Sequence, residues 1–158
     1  MKGESECDCV KKIGILTFHK SINYGSVLQA FALSDLLSKR GYAVEIIDYE
    51  PASYSIQYRI FEKNTSVHNV AANIRRLSVF DILWKQKKGF EKFREEHLPL
   101  SACKFTRASS PQEFSKYYGA VICGSDQIWN VTAKDCDPIF FLPGKQSYKK
   151  IAYAASVN

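Results

Sequence analysis

The stretch IGILTFHKSINYGSVLQAFALSDLLSKRGYAVEIIDY, residues 13–49, changes its hydrophobic period twice. Residues 13–18 are an apolar run rich in β-branched side chains, which reads as a strand. Residues 19–26 form a polar loop with a glycine. From Val27 the apolar residues return at helical spacing: Val27, Leu28, Phe31, Ala32, Leu36 and Leu37, with Asp35 a polar member of the same stripe. Lys39 and Arg40 put positive charge in the last turn, and Gly41 supplies the stop. Residues 42–49 read as a second strand. Strand, loop, helix and strand in so short a span make a βαβ unit, so the two strands are expected to run parallel with a right-handed crossover. The fold class that follows is α/β, a Rossmann-like three-layer domain with a mainly parallel sheet.

A second stretch repeats the theme. AVICGSDQIWN, residues 120–130, opens as a short apolar strand of the kind buried on both faces. Gly124 breaks the run, and Ser125, Asp126, Gln127, Trp129 and Asn130 follow at once. The strand thus delivers several hydrogen-bonding side chains to its carboxyl end, the edge where open α/β sheets bind ligands. Gly124, Ser125 and Asp126 also suit a plain turn followed by a helix cap. That reading covers Ser125 alone; the cluster of amide, carboxylate and indole favours a site.

The 158 residues suffice for one full core and are too few for two comfortable domains. The net charge of +6 sits largely in residues 85–88, 145–150 and the pair Arg75 and Arg76. An excess of this size is ordinarily a solvated face, and no nucleic-acid motif accompanies it, so no nucleic-acid partner is expected. Cysteines fall at positions 7, 9, 103, 123 and 136, without a C-x-x-C pair, and the histidines at 19, 68 and 97 lack zinc-ligand spacing. No metal is expected. The cysteine set suits a reducing, cytosolic setting, with Cys123 a small apolar strand residue. No apolar run reaches the roughly 20 residues needed to span a bilayer, and no signal peptide precedes the first strand. The sequons at Asn64 and Asn130 read as chance matches in that setting.

Residues 1–10 are charged, contain two cysteines and show no periodicity, which reads as a flexible leader. Residues 52–69 read as loop with short helical pieces. Helical patterns cover 70–76 and 80–96, with Trp84, Phe90 and Phe93 as one apolar stripe and residues 85–88 as its wet side; Pro99 stops the second helix. Ser110, Pro111 and Glu113 start another short helix, running to Tyr117 or Tyr118, with a serine cap and a box residue. Residues 138–143 are an apolar patch between prolines, and 149–156 read as a fourth strand.

In a parallel sheet the loops 19–26 and 124–130 share the carboxyl edge. Asn23, Tyr24, Gly25 and Ser26 open the first helix, where free N–H groups and a partial positive charge suit a phosphate or carboxylate. Gly25 lets a backbone approach a ligand closely. Asn23 suits a plain N-cap equally well. His19 is open to three readings: a base, a phosphate partner or a satisfied loop histidine. There is neither a G-x-G-x-x-G nor a Walker A loop, and Asp48 at the end of the second strand is too little to mark a dinucleotide site.

Five segments now align with a known family: IGILTFH (13–19), NYGSVLQA (23–30), VEIIDY (44–49), GSDQIWN (124–130) and IAYAAS (151–156). In order and spacing they resemble the amino-terminal half of the polysaccharide pyruvyl transferase family. The resemblance runs from Lys12 to the end of the chain. It implies one half of a GT-B-like enzyme, with two Rossmann-like domains facing a cleft. It implies transfer of a pyruvyl group from phosphoenolpyruvate to a sugar of a cell-wall or exopolysaccharide unit, as a ketal. No cofactor is then expected, phosphoenolpyruvate being the donor substrate. The partners implied are a sugar or polysaccharide-precursor acceptor and a carboxyl-terminal domain of the same enzyme. A cytoplasmic setting is implied, with association at the inner face of the membrane through a lipid-linked acceptor.

The resemblance places the donor contacts largely in the carboxyl-terminal half, so residues 11–158 alone are expected to show no turnover. They would hold the acceptor side of the cleft. Asp126, then His19, are the candidate catalytic groups, either able to take the proton of an attacking hydroxyl. Gly124, Ser125, Gln127 and Asn130, with Asn23, Tyr24, Gly25 and Ser26, would bind substrate. Trp129 would stack on a sugar ring, or anchor the loop from below. Two other functions fit the same scaffold: a glycosyltransferase-like enzyme with another donor, and a non-catalytic sugar-binding module.

Overall fold

The computed structural model describes residues 11–51, 67–132 and 136–156. The expected leader, most of the 52–69 loop, the sequon at Asn64 and the cysteines at 7 and 9 lie outside the described residues. Five strands form one sheet: β1 (Lys12–Leu16), β2 (Val44–Glu50), β3 (Leu100–Thr106), β4 (Tyr118–Gly124) and β5 (Lys149–Tyr153). The spatial order is β3-β2-β1-β4-β5, and every neighbouring pair is parallel. Among the described residues three α-helices accompany them: α1 (Tyr24–Lys39), α2 (Val67–Leu77) and α3 (Phe80–His97). The all-parallel sheet with covered faces is the Rossmann-like three-layer arrangement expected from the βαβ reading.

Strand alternation divides the core. Ile15, Ile46 and Ile122 face α1 and α3, where they meet Val27, Ala30, Leu33, Phe90 and Leu98. Leu16, Ile47, Val121 and Cys123 face the other way. That second face is covered by two 3₁₀ turns, Pro111–Lys116 and Pro138–Phe141, with Phe114, Ile139 and Phe140 as their buried residues. The loop after β4 adds Ile128, which is fully buried.

The buried side of α1 differs from the stripe read in the sequence. Ser26, Val27, Ala30, Leu33 and Ser34 are buried, whereas Leu28 and Leu36 are exposed. Small residues face the sheet and let the helix lie close to it. Ser34 satisfies its hydroxyl by donating to the carbonyl of Phe31 at 2.9 Å, so its burial leaves no orphan. In α3, Phe90 is buried and Phe93 packs against the core, but Trp84 is exposed. Six residues separate Trp84 from Phe90, which puts them roughly 120° apart around the helix. Trp84 stacks instead on Phe80, at 6.0 Å between centroids, with the Lys88 amine 5.1 Å from its ring.

Three further expectations are corrected. β3 was not anticipated, so the strand expected to be fourth is the fifth. The element opened by Ser110 is a 3₁₀ turn rather than an α-helix, although its capping box is present: Ser110 accepts from Gln112 N, and Glu113 accepts from Ser110 N at 2.8 Å. The helix cap offered as an alternative reading of Gly124 to Asp126 opens no helix: among the described residues, 125–132 are mainly bends and turns.

Candidate functional site

β1, β2 and β3 are laid down in one direction across the sheet, and β4 and β5 in the other. The order reverses between β1 and β4. At such a reversal the loops leaving the two strands diverge to opposite faces and open a crevice at the carboxyl edge. The loops leaving β1 and β4 are 17–23 and 125–132, the two singled out in the sequence.

Asn23 caps α1: its Oδ1 accepts from Gly25 N at 2.8 Å, and its carbonyl takes the first helical bond, from Val27 N at 3.1 Å. Asn23, Tyr24 and Gly25 are exposed, and Ser26 is buried beneath them. The N–H groups of the first turn have no intrahelical carbonyl partners, and the Asn23 side chain takes that of Gly25. Tyr24 leans on Phe90 of α3, with ring centroids 4.8 Å apart.

Gln29, one turn further into α1, joins the two loops. It donates through Nε2 to Thr17 Oγ1 at 2.8 Å and to the carbonyl of Ser26 at 3.0 Å. Its Oε1 accepts from the backbone N–H of Ser125 at 3.3 Å. The Ser125 N–H can only donate, so it fixes which end of the amide faces it. The end of β1, the first turns of α1 and the start of the β4 loop thereby become one unit. Sequence reasoning quoted Gln29 within a motif but gave it no role. The available signal was a lone amide on a helix whose neighbours at that level are apolar.

The β4 loop is held from three sides. Gly124, with φ 119°, lies in a region that L side chains rarely adopt, and a Cβ there would sit 2.0 Å from the carbonyl oxygen of Tyr153. Ser156 donates its N–H to the carbonyl of Asp126 at 3.1 Å. Trp129 donates Nε1–H to the carbonyl of Phe140 at 2.9 Å and lies nearly parallel to Phe141. Trp129 thus anchors the loop onto the second 3₁₀ turn. Asn130 accepts from Thr132 N and Thr132 Oγ1 in a local turn, and Gln127 is exposed. Asp126 accepts from Gln127 N at 2.8 Å through Oδ1. Its Oδ2 is buried and meets no hydrogen-bond donor among the described residues. A buried carboxylate oxygen without a donor is a costly arrangement, and one that a ligand hydroxyl would relieve.

His19 sits differently. It is 1% exposed, and its ring nitrogens meet the Thr17 carbonyl and Asp48 Oδ1, each at 3.2 Å. Both partners are acceptors. Lys20 adds its amine to Asp48 Oδ1 at 2.7 Å and to Glu50 at 3.1 Å. Burial alone would raise the Asp48 carboxyl, but the hydrogen bonds and charges of His19 and Lys20 outweigh it and hold it well below the usual carboxylate range. His19 therefore faces β2, and no contact joins it to Asp126 among the described residues. Asp126, Ser125, Asn23, Tyr24, Gly25 and Ser26 are brought to one edge; His19 lies under that edge.

No curated protein and no solved structure matches the chain. The model of one family does, over residues 23–158. That span takes in the α1 cap, Gln29, the β4 loop and the exit of β5, and it shows that the chain belongs to the polysaccharide pyruvyl transferase family.

Proposed function

We propose that this chain forms the acceptor-binding half of a polysaccharide pyruvyl transferase that takes its pyruvyl group from phosphoenolpyruvate. The observation that carries the reading is the family match across residues 23–158, which includes both loops at the reversal of strand order. The donor contacts belong to a second, carboxyl-terminal domain facing this one across a GT-B-like cleft. Ketal formation joins two acceptor hydroxyls to the enol carbon of the donor. One hydroxyl proton ends on the methylene carbon, which becomes a methyl group, and the other leaves as phosphate departs.

Asp126 is the group best disposed to take a hydroxyl proton, since its Oδ2 meets no donor among the described residues. Ser125, Gln127 and Asn130 would hold neighbouring hydroxyls. The first turn of α1, with Asn23 to Ser26, suits an anionic group of donor or acceptor. His19, enclosed by Thr17 and Asp48, serves better as a prop for the first loop than as a base.

The test is phosphate release from phosphoenolpyruvate by the product of the complete reading frame, with a panel of glycans. Asp126→Asn is expected to lower kcat by about 10²–10⁴, the usual worth of a general base. Its melting temperature should stay near that of the unsubstituted protein. Undiminished turnover would remove Asp126 from the mechanism, and absence of acceptor-dependent phosphate release would remove the donor.

A further inference from the structure

The stripe of α2 is turned outward. Val70, Ile74 and Leu77 fall at i, i+4 and i+7, one face of the helix, yet Ile74 and Leu77 are each 63% exposed. Exposed apolar residues follow in the sequence, Val79 and then Ile82, 68% exposed, and Trp84 at the start of α3, the last two on opposite flanks of that helix. Val70, Ile74 and Leu77 are not scattered singles: three large apolar side chains exposed on one helix face mark an interaction surface.

The charges of this stretch are mostly positive. Residues 67–88 carry Arg75, Arg76, Lys85, Lys87 and Lys88 against a single acid, Asp81, a net of +4 out of the +6 for the whole chain. Arg75, Lys85 and Lys88 are exposed, and Lys88 shares its charge with Glu91 of the next turn at 2.8 Å. A second copy of this patch would meet its own positive charge, which disfavours self-association. An anionic bilayer offers both complements: negative headgroups for the basic rim and acyl chains for the apolar stripe. Trp84 and the neighbouring lysines are residue types that settle at that boundary. No helix among the described residues is long and apolar enough to cross a membrane, so the contact is with the surface.

The patch also has a definite place. α3 leads directly into β3, so its carboxyl end lies at the amino edge of the sheet and its first turns point to the carboxyl edge. Tyr24, the first residue of α1, meets α3 at Phe90. The ten residues from Phe80 to Phe90 extend about 15 Å beyond that contact. A groove of about 440 Å³ lies between α1 and α3, lined by Tyr24, Leu28, Lys85, Gln86 and Phe90 among others.

We propose that the outward face of α2 and the first turns of α3 dock this protein on an anionic membrane surface, beside the crevice at the carboxyl edge. This contact belongs to the chain itself and needs no lipid-linked acceptor. It does not depend on the transfer reaction.

The test is flotation of the full-length protein with acceptor-free vesicles, either neutral phosphatidylcholine or the same lipid with about a third phosphatidylglycerol. Binding is expected only to the anionic vesicles and should weaken as salt rises. Arg75→Glu combined with Lys85→Glu should lower the partition coefficient at least about tenfold, and Leu77→Ser with Ile82→Ser should do likewise. All four positions are exposed, so circular dichroism and melting should be unchanged, as should phosphate release from phosphoenolpyruvate in solution. Equal binding to both vesicles, binding that ignores these substitutions, or no binding at all would overturn the proposal. So would a concentration-dependent dimer abolished by Ile82→Ser, or protection of Ile82 and Trp84 by the remainder of the full-length chain, since each names a different occupant.

Discussion

Gln29 shows how much one side chain can decide. Its amide spends a donor on Thr17 and an acceptor on Ser125, holding together loops that leave two different strands. Gln29→Leu keeps the volume but leaves the Ser125 N–H without an acceptor and Thr17 Oγ1 without that donor. We expect a loss of stability of about 1–3 kcal/mol, the cost of buried groups left unpaired. Activity should fall further than that figure implies, because the loop carrying Asp126 loses its fixed start. Gln29→Glu retains the acceptor for Ser125 and should keep more activity than Gln29→Leu. Thermal melts and acceptor KM, measured together in the full-length protein, check both statements.

At the scale of elements, the carboxylate of Asp48 ties the end of β2 to the loop leaving β1 through His19 and Lys20. Its carboxyl titrates lower in the folded chain than in the unfolded one. The stabilisation is therefore fully present above the ordinary value of about 3.9 and is lost as pH falls below it towards the depressed folded value. Denaturant midpoints should drop through that acid range in the unsubstituted protein. Asp48→Asn should be less stable at neutral pH and should show a shallower acid limb. A limb of equal steepness in both would mean that other carboxylates govern the acid response. The α1 cap and the turn at Pro111 were legible at this scale, because capping residues announce themselves by type and spacing. β3 was not. In LSACKFT only Ser101 and Phe105 are buried, so this edge strand carries neither an apolar run nor a clean alternation.

Across the whole molecule, the βαβ unit and the parallel sheet were readable from the changes of period in residues 13–49 and the apolar run at 120–123. The side on which β4 joins β1 was not, since strand order is a long-range choice that no local pattern encodes. That choice creates the crevice, so the sequence could place two loops at one edge but could not say that they leave adjacent strands. The two faces of the core also set the chemistry of the cysteines. Cys123 lies in the sheet under Tyr148 and the 3₁₀ turns, and burial pushes its thiol up to about 12, with Lys150 pulling weakly the other way. Cys103 is exposed on β3. A thiol-alkylating reagent at neutral pH should modify Cys103 in the folded protein and spare Cys123 until denaturant is added, as mass spectrometry of the digested product would show.

The close approach of Tyr153 to Gly124 also dictates an order of events. The β4 loop can take its final shape only when β5 has come alongside, because the Tyr153 carbonyl and the Ser156 N–H form part of its surroundings. β5 leaves the ribosome after β1 to β4, and β4 must already have found β1, a partner roughly a hundred residues upstream. During synthesis the sheet therefore assembles from its amino end, while the crevice matures only after β5 has joined. A nascent chain stalled before residue 149 would hold a recognisable sheet but an unformed crevice.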